Sequence, residues 1–324
     1  MSHLRRIRYA AIAAVLTVAA LPSSAVAADE PDTGPDYSVS QAALDKALAC
    51  TAGDATLTPV LLVPGTTVEP EENFGWNYVQ DFLIEKRPFC TVTLPNRSMA
   101  DIQVAAEYVV HAIRTMHAHS RGRISVVGHS QGGMIGRWAL KYWPDTRHMI
   151  DDFIGMAPSN HGTLVAEMMC NPDCAPAIWQ QRRDAAFIQA LNTGPETWKG
   201  IDYTVIYSPT DGIIVPADLS KLETGKGTIA NIAVNEACSD HVADHLTLGT
   251  SDPVAYALVA DALSHPGPAS LETFDRFACN ALFQPGVNKE FFAVNGGRAF
   301  AAVAATILLT EHVAAEPALA DYAK

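Results

Sequence analysis

Basic residues are scarce in this chain. Its 22 Lys and Arg stand against 35 Asp and Glu, a formal net charge of −13 at pH 7. A phosphate binder needs a basic face, so the deficit argues against nucleic acid and anionic membranes as partners. Internal repeats, low-complexity tracts and interior linkers are also lacking, which leaves no visible boundary between domains. Cys170-Asn-Pro-Asp-Cys174 could be half of a metal site, but no second Cys or His cluster at ligand spacing accompanies it. No metal and no cofactor are expected. The N-terminal apolar run, Tyr9 to Leu21, is too short to span a bilayer.

That run has another reading. Arg5, Arg6 and Arg8 precede it, and Ala25-Val26-Ala27 follows as a small-residue cleavage site. This is the pattern of a secretory signal peptide, residues 1–27. Its removal takes away three arginines and no acids, leaving 19 basic against 35 acidic residues, or −16. Export places the six cysteines in an oxidising compartment, where an even count suggests three disulfides. A Cys170–Cys174 bridge fits that context. A secreted monomer with no integral membrane association is expected.

Residues 28–40 are acidic and rich in Pro and Gly, as in a flexible lead-in, and 41–324 should form one catalytic domain. Val60–Val63 is a short apolar run ended by Pro64-Gly65, as in a buried strand. Ser98-x-x-Asp101 resembles a capping box, and from Ile102 to Met116 apolar residues recur at helical spacing. Ile124–Val127, Ile150–Met156, Tyr203–Tyr207 and Thr228–Val234 are further strand candidates. A helix is expected from Pro253 to Leu263, and an apolar C-terminal one from Arg298 to Thr310, with His312 in it. Alternating strands and helices imply an α/β fold with a mostly parallel sheet covered on both faces.

Gly128-His-Ser130-Gln-Gly132 spells G-x-S-x-G, a pattern that a chain of this length shows by chance roughly one time in ten. Context gives it meaning. It follows the strand at 124–127 and opens a helical segment that runs to Pro144, so Ser130 sits on a strand–turn–helix corner, the nucleophile elbow of the α/β-hydrolase fold. A serine hydroxyl is inert at neutral pH without a base, and the base needs an orienting acid. On this fold both follow the serine, acid first. Asp211 lies in the turn after the strand at 203–207, at the sheet edge where catalytic groups gather, whereas Asp202 starts that strand and Asp218 lies farther on. Among the late histidines, His241 and His245 both lie in the loop after the strand at 228–234; the residues alone do not choose between them.

Several further motifs occur in order: Val63-Pro-Gly-Thr66, Glu107-Tyr108-x-Val110-x-Ala112-Ile113, Ser130-Gln-Gly-Gly133, Ala157-Pro158 with Gly162-Thr163, Ile178-Trp-Gln-Gln181, Ser208-x-Thr-Asp211-x-Ile-Ile-x-Pro216, and Asp244-His245. From about Cys50 to Cys279 the chain resembles the secreted lipases typified by Candida antarctica lipase B. The resemblance implies Ser130 as nucleophile, Asp211 as acid and His245 as base. It also implies an oxyanion hole of the Thr66 and Gln131 backbone N–H groups, with the Thr66 hydroxyl as third donor. With it named, the remaining bridges expected are Cys50–Cys90 and Cys238–Cys279, and residues 164–180 are expected to form a short mobile helix over the pocket mouth. Three departures stand out: Ser159 replaces the family's Asp after Ala-Pro, the elbow begins Gly128-His129, and a C-terminal disulfide is missing, so the tail after Cys279 should be looser. The expected activity is that of a serine carboxylester hydrolase on acylglycerols or other esters, most simply a triacylglycerol lipase. A cutinase-type esterase, a secreted acyltransferase and a catalytically dead binding module are the alternatives.

Overall fold

A computed structural model of the chain describes residues 32–120 and 122–324, and Asp32–Lys324 forms one compact unit. The expected signal peptide, 1–27, lies outside the described residues. Seven strands make one sheet: β1 (Leu48–Thr51), β2 (Val60–Val63), β3 (Phe89–Val92), β4 (Ile124–His129), β5 (Ile150–Met156), β6 (Asp202–Tyr207) and β7 (Thr228–Ala233). They lie in the order β1-β3-β2-β4-β5-β6-β7, with only the β1–β3 pair antiparallel.

Side chains of successive strand residues point to opposite faces, and here each face meets its own core. Leu61 and Val63 of β2 join Val109, Ile113, Ile135 and Trp138 from the helices Ile102–Ser120 and Gln131–Tyr142. Val60 and Leu62 turn the other way, toward Phe74, Tyr78, Phe82 and the helix Pro253–Ala262. Burial on both faces explains why β2 reads as an unbroken apolar run. All four of its residues are fully buried. At about 1.5–3 kcal/mol per buried aliphatic side chain, so short a strand can still hold an interior place in the sheet, between β3 and β4.

The sheet is that of an α/β hydrolase, mostly parallel with helices on both faces. Its two outermost strands on one side, β1 and β3, are not legible in the sequence, because four-residue segments with mixed polarity give little periodicity to detect. The expected capping box is corrected: the long helix starts at Ile102, and Asp101 itself accepts the Gln103 N–H at 2.9 Å. Ser98 takes no part; it is buried, and its hydroxyl has no partner. The stretch from 32 to 40 carries no helix or strand, yet it is docked: Trp143 donates to the Pro35 carbonyl at 2.8 Å, and Ser38 and Val39 donate to Glu107. Those partners lie far away in sequence, so its composition alone reads as free.

The end of the chain differs most. The last long helix runs Phe292–Leu309, beginning six residues before the expected start and continuing through Gly296-Gly297. His312 lies beyond it, paired with Asp173 at 2.8 Å. By length and composition this helix could cross a membrane, at mean hydropathy 1.5, but its inner side lines the central cavity described below. The tail is docked despite lacking a disulfide: Val313 pairs with Cys174, Glu316 accepts the N–H groups of Ala186 and Phe187, and Tyr322 packs on Trp138 and Trp143.

Candidate active site

Gly128, at the end of β4, and Gly132, in the first turn of the following helix, let the chain reverse sharply. A Cβ at 128 would run into the Gly132 carbonyl, and one at 132 into the Val63 carbonyl. Between them Ser130 is held at φ 55°, ψ −123°, a conformation that L-residues adopt only under constraint, with its N–H bonded to the Met156 carbonyl at 2.8 Å. Such strain is typical of functional positions, and it presents the hydroxyl at the N-terminus of the helix Gln131–Tyr142.

Asp211 follows β6 at the same edge. Its carboxylate accepts the N–H groups of Ile213 and Ile214 at 2.8 and 2.6 Å, and faces His245 Nδ1 at 2.8 and 3.0 Å. Burial alone would raise its pKa, but the hydrogen bond and charge of His245 and the two backbone donors outweigh burial and hold it below the usual value. A carboxylate on Nδ1 fixes that nitrogen as the protonated one and leaves Nε2 free to act as base. His245 heads the short helix His245–Leu248 instead of lying in a loop, capped by Asp244, and its own N–H bonds the Asp211 carbonyl at 2.9 Å.

The structure brings His245 and Ser130 to the walls of one cavity of about 420 Å³; among the described residues no hydrogen bond joins the serine hydroxyl to the ring. His241 is elsewhere: its Nε2 meets Asp252 at 2.6 Å, and it does not line the cavity. Asp202 sits at the other end of β6, accepting the Gly267 N–H, and the exposed Asp218 pairs with Lys221.

Thr66 lies in the turn after β2 and lines the cavity beside Ser130. Its backbone N–H and that of Gln131 have no acceptor among the described residues. The Thr66 hydroxyl donates to Gln131 Oε1 at 3.0 Å and accepts from Gln181 Nε2 at 3.0 Å. Gln181 closes the Ile178-Trp-Gln-Gln181 motif, but nothing local assigns it a role, since only the folded chain brings it to Thr66, 115 residues away. In sequence His129 is only a departure from the family's elbow. It is fully buried, packs on the His245 ring at 4.9 Å, and its Nε2–H meets the His245 carbonyl at 2.9 Å. Burial, then the His245 charge, drives its pKa down to about 3, so it stays neutral beneath the His245 ring.

The remaining walls are mostly apolar, with Glu72, Asn73, Thr247 and Ser251 among the polar exceptions. Val165, Ala166 and Met169 come from the helix Leu164–Met169 and Ile178 from Pro176–Gln180, the segment expected as a lid; the C-terminal helix adds Phe292, Phe300, Val303 and Ile307. Nothing in the sequence places that helix at the site. Its apolar residues at helical spacing were the available signal. The sulfurs of Cys50–Cys90, Cys170–Cys174 and Cys238–Cys279 are bonded, and no group of His, Cys, Asp and Glu among the described residues could hold a metal.

Comparison with known proteins places the chain among ester hydrolases. Residues 93–166 match the family described as putative serine esterase, DUF676. Lipase B of Pseudozyma antarctica is 29% identical over 325 residues, covering 97% of this chain and 91% of that protein. The crystal structure of Aspergillus fumigatus lipase B superposes with a TM-score of 0.81 at 30% identity, over 90% of this chain and 74% of that one. The mature form of Bacillus licheniformis lipase BlEst2 shares the fold alone, with a TM-score of 0.50 at 13% identity over 63% of this chain and 92% of its own. The chain belongs to the lipase B family, a family of carboxylic ester hydrolases on the α/β-hydrolase fold.

Proposed function

We propose that the protein is a secreted triacylglycerol lipase that works through an acyl-enzyme on Ser130. His245 removes the hydroxyl proton as Ser130 attacks the ester carbonyl, then returns it to the departing alcohol. Asp211 holds the imidazole tautomer and offsets the charge that develops on it. The N–H groups of Thr66 and Gln131, with the Thr66 hydroxyl, receive the tetrahedral oxyanion. Water, activated by the same histidine, releases the acid. The carrying observation is the buried His245–Asp211 pair, at 2.8 Å, beside a strained serine on one apolar cavity.

An apolar cavity suits long acyl chains, which favours acylglycerols over small polar esters. Three disulfides support export. The proposed organisation is a signal peptide at 1–27, a lead-in at 28–40 and one catalytic domain from 41 to 324, working as a monomer. Hydrolysis of emulsified triolein beside p-nitrophenyl esters of rising chain length tests the reading. High rates on triolein support it; activity confined to short esters or polyesters would mark a cutinase-type esterase instead.

A further inference from the structure

The Thr66 hydroxyl has one proton and two lone pairs, and the buried amides around it determine where that proton goes. Gln181 is fixed in orientation. Its Nε2 donates to the Ala177 carbonyl at 3.1 Å as well as to Thr66, and its Oε1 accepts the Ser159 hydroxyl at 2.9 Å. Turning this amide over would face two oxygens at Ala177, so Gln181 can only donate to Thr66. One lone pair of Thr66 is thereby occupied.

Gln131 is different. Its Oε1 accepts the Thr66 proton, while its Nε2 is buried with no partner. An orphaned buried donor is costly, and orphaned acceptors are better tolerated. Rotating the amide by half a turn places Nε2 against Thr66 at the same distance and fills the second lone pair. The hydroxyl then accepts two N–H bonds, and its proton has no direction left but the cavity.

We propose that Gln181 is a positioning residue: locked by Ser159 and the Ala177 carbonyl, and joined by the Gln131 amide, it aims the Thr66 hydroxyl proton at the oxyanion. The proposal rests on the oxyanion-hole reading above. Ser159 belongs to the device because a serine supplies the donor that Gln181 Oε1 needs, which a carboxylate in its place would not.

The test is a double-mutant cycle on full-length enzyme with soluble p-nitrophenyl butyrate. Thr66→Val should lower kcat roughly 10²-fold, the usual loss for one oxyanion donor, with KM little changed. Gln181→Met should reproduce much of that loss, and adding it to Thr66→Val should cost almost nothing more. Equal losses from Gln181→Met in both backgrounds would overturn the positioning role while leaving Thr66 as donor. An unchanged kcat in Thr66→Val would overturn the oxyanion reading and the proposal with it. Should Gln181→Met fail to fold, Ser159→Ala serves in its place, with a smaller loss that must again vanish on Thr66→Val.

Discussion

The elbow and the C-terminal helix face each other across one cavity and are built on opposite principles. Ser130, Asp211 and His245 are each at least 94% buried, fixed by strained backbone, short hydrogen bonds and a sheet packed on both sides. The helix Phe292–Leu309 has only Ala299 and Thr306 buried, with Phe300 65% and Leu308 81% exposed. It is held near its ends. Phe292 packs on Trp76 and Phe283, and Thr306 bonds Arg97 at 2.7 Å and the Thr67 carbonyl at 3.2 Å. Chemistry needs atoms placed to within fractions of an ångström, whereas a wall for acyl chains needs only apolar surface. Substitutions in the two regions should therefore read out in different kinetic parameters.

The largest effect belongs to the elbow. Ser130→Ala should lower kcat roughly 10⁴–10⁶-fold with the fold intact, as checked by circular dichroism beside turnover on p-nitrophenyl butyrate. Next come the two histidines. His245→Ala should cost nearly as much, while His241→Ala should leave kcat within about twofold.

His241 should show itself in stability instead. Its hydrogen bond and charge pairing with Asp252 raise its pKa, so the stability it contributes is full below the unfolded value near 6.5 and is lost as pH rises through the higher folded value. Melting temperatures at pH 5.5 and 8.5, wild type against His241→Ala, should converge at the higher pH; a constant gap would contradict the pairing.

The bridges rank by the chain they close. Cys238–Cys279 spans 41 residues and Cys170–Cys174 only 4, which in the chain-entropy picture correspond to about 4 and about 2 kcal/mol. Replacing Cys238 and Cys279 by Ala should lower the melting temperature more, and also activity, since that bridge restrains the segment leading to His245. The smallest effect on kcat should come from the helix. Phe300→Ala or Val303→Ala should shift chain-length preference and KM on long esters, with kcat on butyrate changed less than about threefold; a large loss on butyrate would show that the wall also carries chemistry.

The same contrast explains what could be read from sequence. The strand–turn–helix at Ser130 and the turn at Asp211 are local: glycines, short apolar runs and chain order specify them within a dozen residues. His245 needed the Asp-His pair of the resemblance, because spacing could not separate it from His241. The helix wall, the docking of Pro35 under Trp143 and the Gln181–Thr66 contact join residues 108 to well over 200 positions apart. No local pattern encodes such meetings; they arise when the sheet closes and buried donors find acceptors.

Active-site titration tests the central claim most directly. Diethyl p-nitrophenyl phosphate should transfer one diethyl phosphoryl group to Ser130 in the wild type and in His241→Ala, located by peptide mass mapping. Labelling should be absent in Ser130→Ala and strongly slowed in His245→Ala. Label on another residue, or label that persists when Ser130 is replaced, would contradict the account.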